Sequence, residues 1–67
     1  MLLCDYLDTR GYTQQAFADR LGCSRPTVSY WMRGLKHPRP HWVSKIRAAT
    51  GGKVGAEDLQ AAMELAS

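Results

Sequence analysis

Apolar residues recur along this chain every three or four positions, and no stretch alternates apolar and polar residues over strand length. Leu3 and Leu7 stand four apart with Tyr6 beside them, which predicts a first helix over Leu2 to Arg10, stopped by Gly11. Thr13 can cap a second helix from Gln14 to Leu21, with Phe17, Ala18 and Leu21 on one face and Gly22 as its stop. Ser24 can cap a third, Arg25 to Arg33, whose inner positions are Val28, Trp31 and Met32; Gly34 ends it. Residues Leu35 to Pro40 carry prolines and basic side chains without periodicity, so they form a loop. A fourth helix, about His41 to Thr50, places Trp42, Val43, Ile46 and Ala49 inward. After Gly51-Gly52 a fifth, about Ala56 to Leu65, opens on Glu57 and Asp58, where the helix dipole favours acids, and turns Leu59, Ala62 and Met63 inward.

The expectation is an all-α bundle of about five short helices, one domain over residues 1–67, with no repeat and no linker long enough to divide it. Sixty-seven residues bury only ~60% of the unfolded surface, so stability must come from tight helix packing or pairing, and a multi-step enzyme with a walled cavity is not expected. No apolar run reaches membrane-spanning length, and Met1-Leu2-Leu3-Cys4 is followed at once by Asp5, unlike an export signal. The expected location is a bacterial cytoplasm, at the nucleoid. Cys4 and Cys23 are then expected as reduced, partly buried thiols.

Charge sharpens this picture. The net charge is +3, but residues 1–19 carry −2, residues 20–53 carry +8 without a single acid, and residues 54–67 carry −3. A continuous basic middle fits a polyanionic partner, nucleic acid first.

Residues 13–34 carry the informative unit: two short helices joined by a glycine-containing turn, the geometry of a helix-turn-helix. The close crossing of the helices needs a small residue, supplied by Ala18. The turn needs a residue that tolerates positive φ, supplied by Gly22. Val28 and Trp31 anchor the second helix inward, over Phe17 and Leu21. Arg25, Pro26, Ser29, Tyr30 and Arg33 are left to point outward.

The Gln14-x-x-x-Ala18-x-x-x-Gly22 core, followed by Val28-Ser29-x-Trp31 and Gly34, resembles the helix-turn-helix of the Cro and repressor family of phage and bacterial regulators. The continuation to Leu59, through a basic loop and the run Ala49-Thr50-Gly51-Gly52-Lys53-Val54, is also similar to small Cro-like members. The resemblance implies a lambda-repressor-like fold and a transcriptional regulator, a Cro-like repressor of phage or prophage type, that binds a palindromic operator in double-stranded DNA as a weak homodimer. It places Arg25, Pro26, Thr27, Ser29 and Tyr30 at the base-reading positions. Arg25 could span O6 and N7 of a guanine. Pro26 departs from the amide or hydroxyl residue common in relatives, and could touch a thymine methyl but donate no hydrogen bond. Thr13, Gln14 and Ser24 at helix starts, with Arg33, Lys36, His37 and Arg39 after the second helix, would hold phosphates. Lys45 and Arg47 are expected as solvated side chains.

The pairing surface is expected near Trp42, Leu59, Met63 and Leu65, unless these complete the monomer core. Two other classes share the pattern: a helix-turn-helix antitoxin, which would also hold a toxin, and a protein-interaction module, which would lack the outer cations. No cofactor, metal or small-molecule ligand is expected. His37 and His41 have finger-like spacing, but Cys4 and Cys23 lie 19 positions apart and prolines interrupt the histidines. A Cys-His nucleophile would lack an orienting third group, and Gly51-Gly52 is not followed by the lysine and hydroxyl pattern of a phosphate loop.

Overall fold

The computed structural model describes residues 1–66; Ser67, the last residue of the expected domain, lies outside them. Five helices follow one another: α1 (Leu3–Arg10), α2 (Gln14–Leu21), α3 (Arg25–Met32), α4 (Pro40–Ala49) and α5 (Ala56–Ala66). The all-helical expectation holds, with one-residue shifts at five of the ten helix ends. The fourth helix begins at Pro40 rather than His41. A proline in the first turn gives up an amide hydrogen that has no acceptor there, and its fixed φ suits the helix start.

The expected inner positions form the core. Leu3, Tyr6 and Leu7 of α1, Phe17, Ala18 and Leu21 of α2, and Val28 and Trp31 of α3 are buried together with Ile46 of α4 and Leu59 of α5. Tyr6, Tyr12 and Phe17 form a ring cluster with centroids 6.3–6.4 Å apart. Trp31 and Trp42 pack at 5.8 Å, so the tryptophan pair closes the far side of the core. Leu59 is fully buried and Trp42 half-buried, so Leu59 leaves the expected pairing surface. Its spacing allowed either role; α5 is rotated to send it inward, and Leu65 remains outside.

Two core residues carry no periodic signal. Val54 is fully buried within the segment joining α4 to α5, and among the described residues Thr50 is the one buried polar residue. The Thr50 hydroxyl donates to the Ile46 carbonyl at 2.9 Å and accepts the Val54 amide at 3.1 Å. It thereby ties the end of α4 to the strand of chain that leads into α5, with its own polarity satisfied.

Gly34 is held from two directions. It sits at φ +71°, and the Leu35 amide bonds back to the Tyr30 carbonyl at 3.0 Å, a Schellman ending for α3. A methyl group there would also overlap the backbone carbonyl of Ala62 in α5. Gly22 has a similar φ of +83° but open space around it. Gly34→Ala is therefore expected to cost roughly 2–4 kcal/mol, from the left-handed backbone plus overpacking, and Gly22→Ala roughly 1–2 kcal/mol from the backbone alone. Chemical denaturation of the two variants measures the difference.

Asp58 stands at the third position of α5 and reaches back to accept the amide of Gly55 at 3.0 Å, while its other oxygen lies 2.8 Å from the Met1 amino group. The amino group first, and the Gly55 amide second, hold its carboxyl below the usual carboxylate range, against a small opposing effect of burial. A lowered carboxylate stabilises the fold at every pH above its ordinary value, and loses that contribution as pH falls through its lowered value. Stability should fall in the acid range below about pH 4. Asp58→Asn should flatten that part of the pH–stability curve from thermal melts.

Candidate nucleic-acid interface

α2 and α3 pack closely because Ala18 is fully buried and presents only a methyl group to the helix crossing it. Its carbonyl then accepts two amides of the turn, Gly22 at 2.8 Å and Cys23 at 3.0 Å. The turn is thus closed by the residue that sets the helix approach. Lys45 of α4 donates to the carbonyl of Leu21 at 3.4 Å and lies 5.1 Å from the Trp42 ring centroid. Lys45 is exposed, as expected of a solvated side chain, and its cation also meets the negative end of α2. The Cys23 thiol beside it is free; burial pushes it above the ordinary thiol range, with the Lys45 ammonium opposing.

α3 turns Val28 and Trp31 inward and presents Pro26, Ser29, Tyr30 and Arg33 on its opposite face, at three- and four-residue spacing. Arg25, Pro26, Tyr30 and Arg33 are exposed, whereas Thr27 and Ser29 are half-buried. Tyr30 is 43% exposed, and the Lys36 ammonium from the following loop lies 5.8 Å from its ring centroid. The structure therefore brings Lys36 onto the face of α3. Pro38 is buried and fastens the loop, leaving Arg39 exposed at the start of α4. His37 lines a separate hollow with Glu57, Gln60 and Glu64 of α5.

The helix starts differ. The Thr13 hydroxyl accepts the Ala16 amide at 3.0 Å, as a cap should. Ser24 has the backbone of a cap but makes no such bond; its hydroxyl pairs with that of Thr27 at 2.8 Å. The expected capping bond is corrected here, and the reason is local. A cap oxygen accepts the second or third amide of the helix, and Pro26 removes the second while Thr27 offers a hydroxyl in reach of the same oxygen. Gln14 at the first position of α2 is half-buried, and its Oε1 is buried without a hydrogen-bond partner. A phosphate would take its hydrogen from the amide nitrogen instead.

The electrostatics match this geometry. Among the described residues the one ion pair is Met1–Asp58, on the α5 side, so no carboxylate neutralises Arg25, Arg33, Lys36 or Arg39. The described residues also contain no group of three or more metal-binding side chains, and no helix long and apolar enough to cross a membrane.

This two-helix unit with an unneutralised outer face defines the class of DNA-binding helix-turn-helix proteins. The helix-turn-helix family model matches residues 5–55, from within α1 to the entry of α5, and the chain belongs to that family, in its Cro and repressor type. Comparison with curated proteins and with solved structures gave no match. The family is a DNA-binding regulatory domain and is not typically enzymatic.

Thr13→Ala should cost about 1 kcal/mol of stability, as the loss of a made capping bond does, whereas Ser24→Ala should cost markedly less. Thermal melts of the two variants at one pH compare them directly.

Proposed function

We propose that this chain is a transcriptional repressor that binds a palindromic operator as a homodimer, with α3 in the major groove. The observation that carries the reading is the outer face of α3, free of acids and continuous with Lys36. Eight residues of helix span about 12 Å, enough for a few base pairs, so one copy alone reads little sequence. Two copies would set their helices ~34 Å apart, one turn of duplex. A molecule 27 × 23 × 21 Å in extent is compatible with that separation for two copies side by side.

Within this reading Arg25, at the exposed amino end of α3, takes a guanine edge, while Pro26 and Tyr30 offer apolar surface to neighbouring bases. Thr27 and Ser29 reach bases only from half-buried positions. Thr13, Gln14 and Ser24 at helix starts, with Arg33, Lys36 and Arg39, hold phosphates. His37, which lines a hollow shared with Glu57 and Glu64, contributes least of that set. Leu35 is 54% and Leu65 75% exposed, and Leu35 borders a hollow beside Gly34 together with Met63. These three replace the wider pairing surface expected from sequence. Whole and active, such a protein works in the cytoplasm of a bacterial host.

Operator selection from a random duplex pool supplies the sequence and its symmetry; anisotropy titrations across salt then separate the roles. Arg25→Ala should lose about 1–3 kcal/mol on the selected duplex and little on random duplex. Lys36→Ala should weaken both alike and lower the salt slope by about 1. Equal losses for the two variants on both duplexes would sink the assignment of Arg25, and a selected site without symmetry would sink the dimer.

A further inference from the structure

The molecule carries a second cationic site, away from α3. The carboxyl ends of α1 and α4 converge on a hollow of about 410 Å³, which Arg20 of α2 also lines. Arg10 from α1, Arg20 from α2 and Lys53 from the segment after α4 line it, with Tyr6 and Tyr12. No acid and no residue of α3 lines it. All three cations are exposed, and none has a carboxylate partner among the described residues.

The two arginines are placed by aromatic rings. The Arg20 guanidinium donates to the Tyr12 hydroxyl at 3.1 Å, and the Arg10 guanidinium lies 5.7 Å from the Tyr6 ring centroid. Tyr6 and Tyr12 are themselves stacked, with centroids 6.4 Å apart and an interplanar angle of 28°. Because Tyr12 accepts from Arg20, its own hydroxyl hydrogen remains available to donate.

Cations at helix carboxyl ends complement the dipole, and that alone could account for one charge per helix. The magnitudes decide against it as the full account. The ends of α1 and α4 contribute about −0.5 charge each, the end of α2 being met by Lys45, so the three unit cations leave roughly +2 facing the hollow. We propose that this hollow binds a free phosphorylated small molecule carrying at least two negative charges, such as a diphosphate or nucleotide, held by Arg10, Arg20, Lys53 and the tyrosine hydroxyls. The inference departs from the expectation of no ligand, and it stands whether or not α3 reads DNA.

Amide NMR of the full chain during titration with inorganic pyrophosphate at low ionic strength tests it. Saturable 1:1 shifts at Tyr12, Gly51 and Lys53, with Arg25 to Tyr30 unmoved, are expected. Lys53 makes no side-chain contact that the fold needs, so Lys53→Gln should keep the melting temperature yet weaken pyrophosphate about tenfold. Shifts spread equally over Arg25, Arg33 and Lys36, an absence of saturation, an unchanged affinity in Lys53→Gln, or response of the hollow to duplex DNA but not to pyrophosphate would each overturn the proposal.

Discussion

The crossing of α2 over α3 is the constraint on which the other contacts rest. It requires one residue to be small, buried and doubly hydrogen-bonded, and Ala18 meets all three demands. A larger side chain would push α3 outward and break the pair of amide bonds that close the turn. Both helices would then lose their common floor of Phe17, Leu21 and Val28. Because each helix is only two turns long, neither would persist alone in water; tertiary packing supplies what local propensity cannot.

The second half of the chain is fixed by polar as much as by apolar contacts. Thr50 and Asp58 each join a helix end to the segment between α4 and α5, one from inside the core and one from the surface. Together with the close approach of Gly34 to Ala62, they set where α5 lies against α3. The basic loop between α3 and α4 is fastened at both ends by this arrangement, at Gly34 and at Pro38. Lys36 therefore rides on a short, anchored segment rather than a free tether.

Most of the helical frame was legible in the residues, because glycines and capping positions mark the ends and three- or four-residue spacing marks the inner faces. The unit from Thr13 to Gly34 was legible in finer detail, since each of its constrained positions admits few residue types. Three things were not. Val54 and Thr50 belong to no periodic run, so nothing local announced their burial. Ser24 matched a cap by type, but Pro26 and Thr27 decide where its hydroxyl bonds, and that competition is visible only in three dimensions. The hollow of Arg10, Arg20 and Lys53 draws on residues scattered over most of the chain, and only folding assembles it.

The separation of signs along the chain survives folding. Exposed acids lie mostly on α1 and α5, at Asp5, Asp8, Glu57 and Glu64, with Asp19 alone on α2, while every cationic side chain but Arg10 belongs to the stretch from Arg20 to Lys53. A body charged in this way has a permanent moment as well as a net charge, so a distant polyanion exerts a torque on it and not merely a pull. Orientation would begin several ångströms before contact, within the ~8–10 Å over which salt leaves such fields intact. Fewer encounters would then be wasted on the wrong side of the molecule.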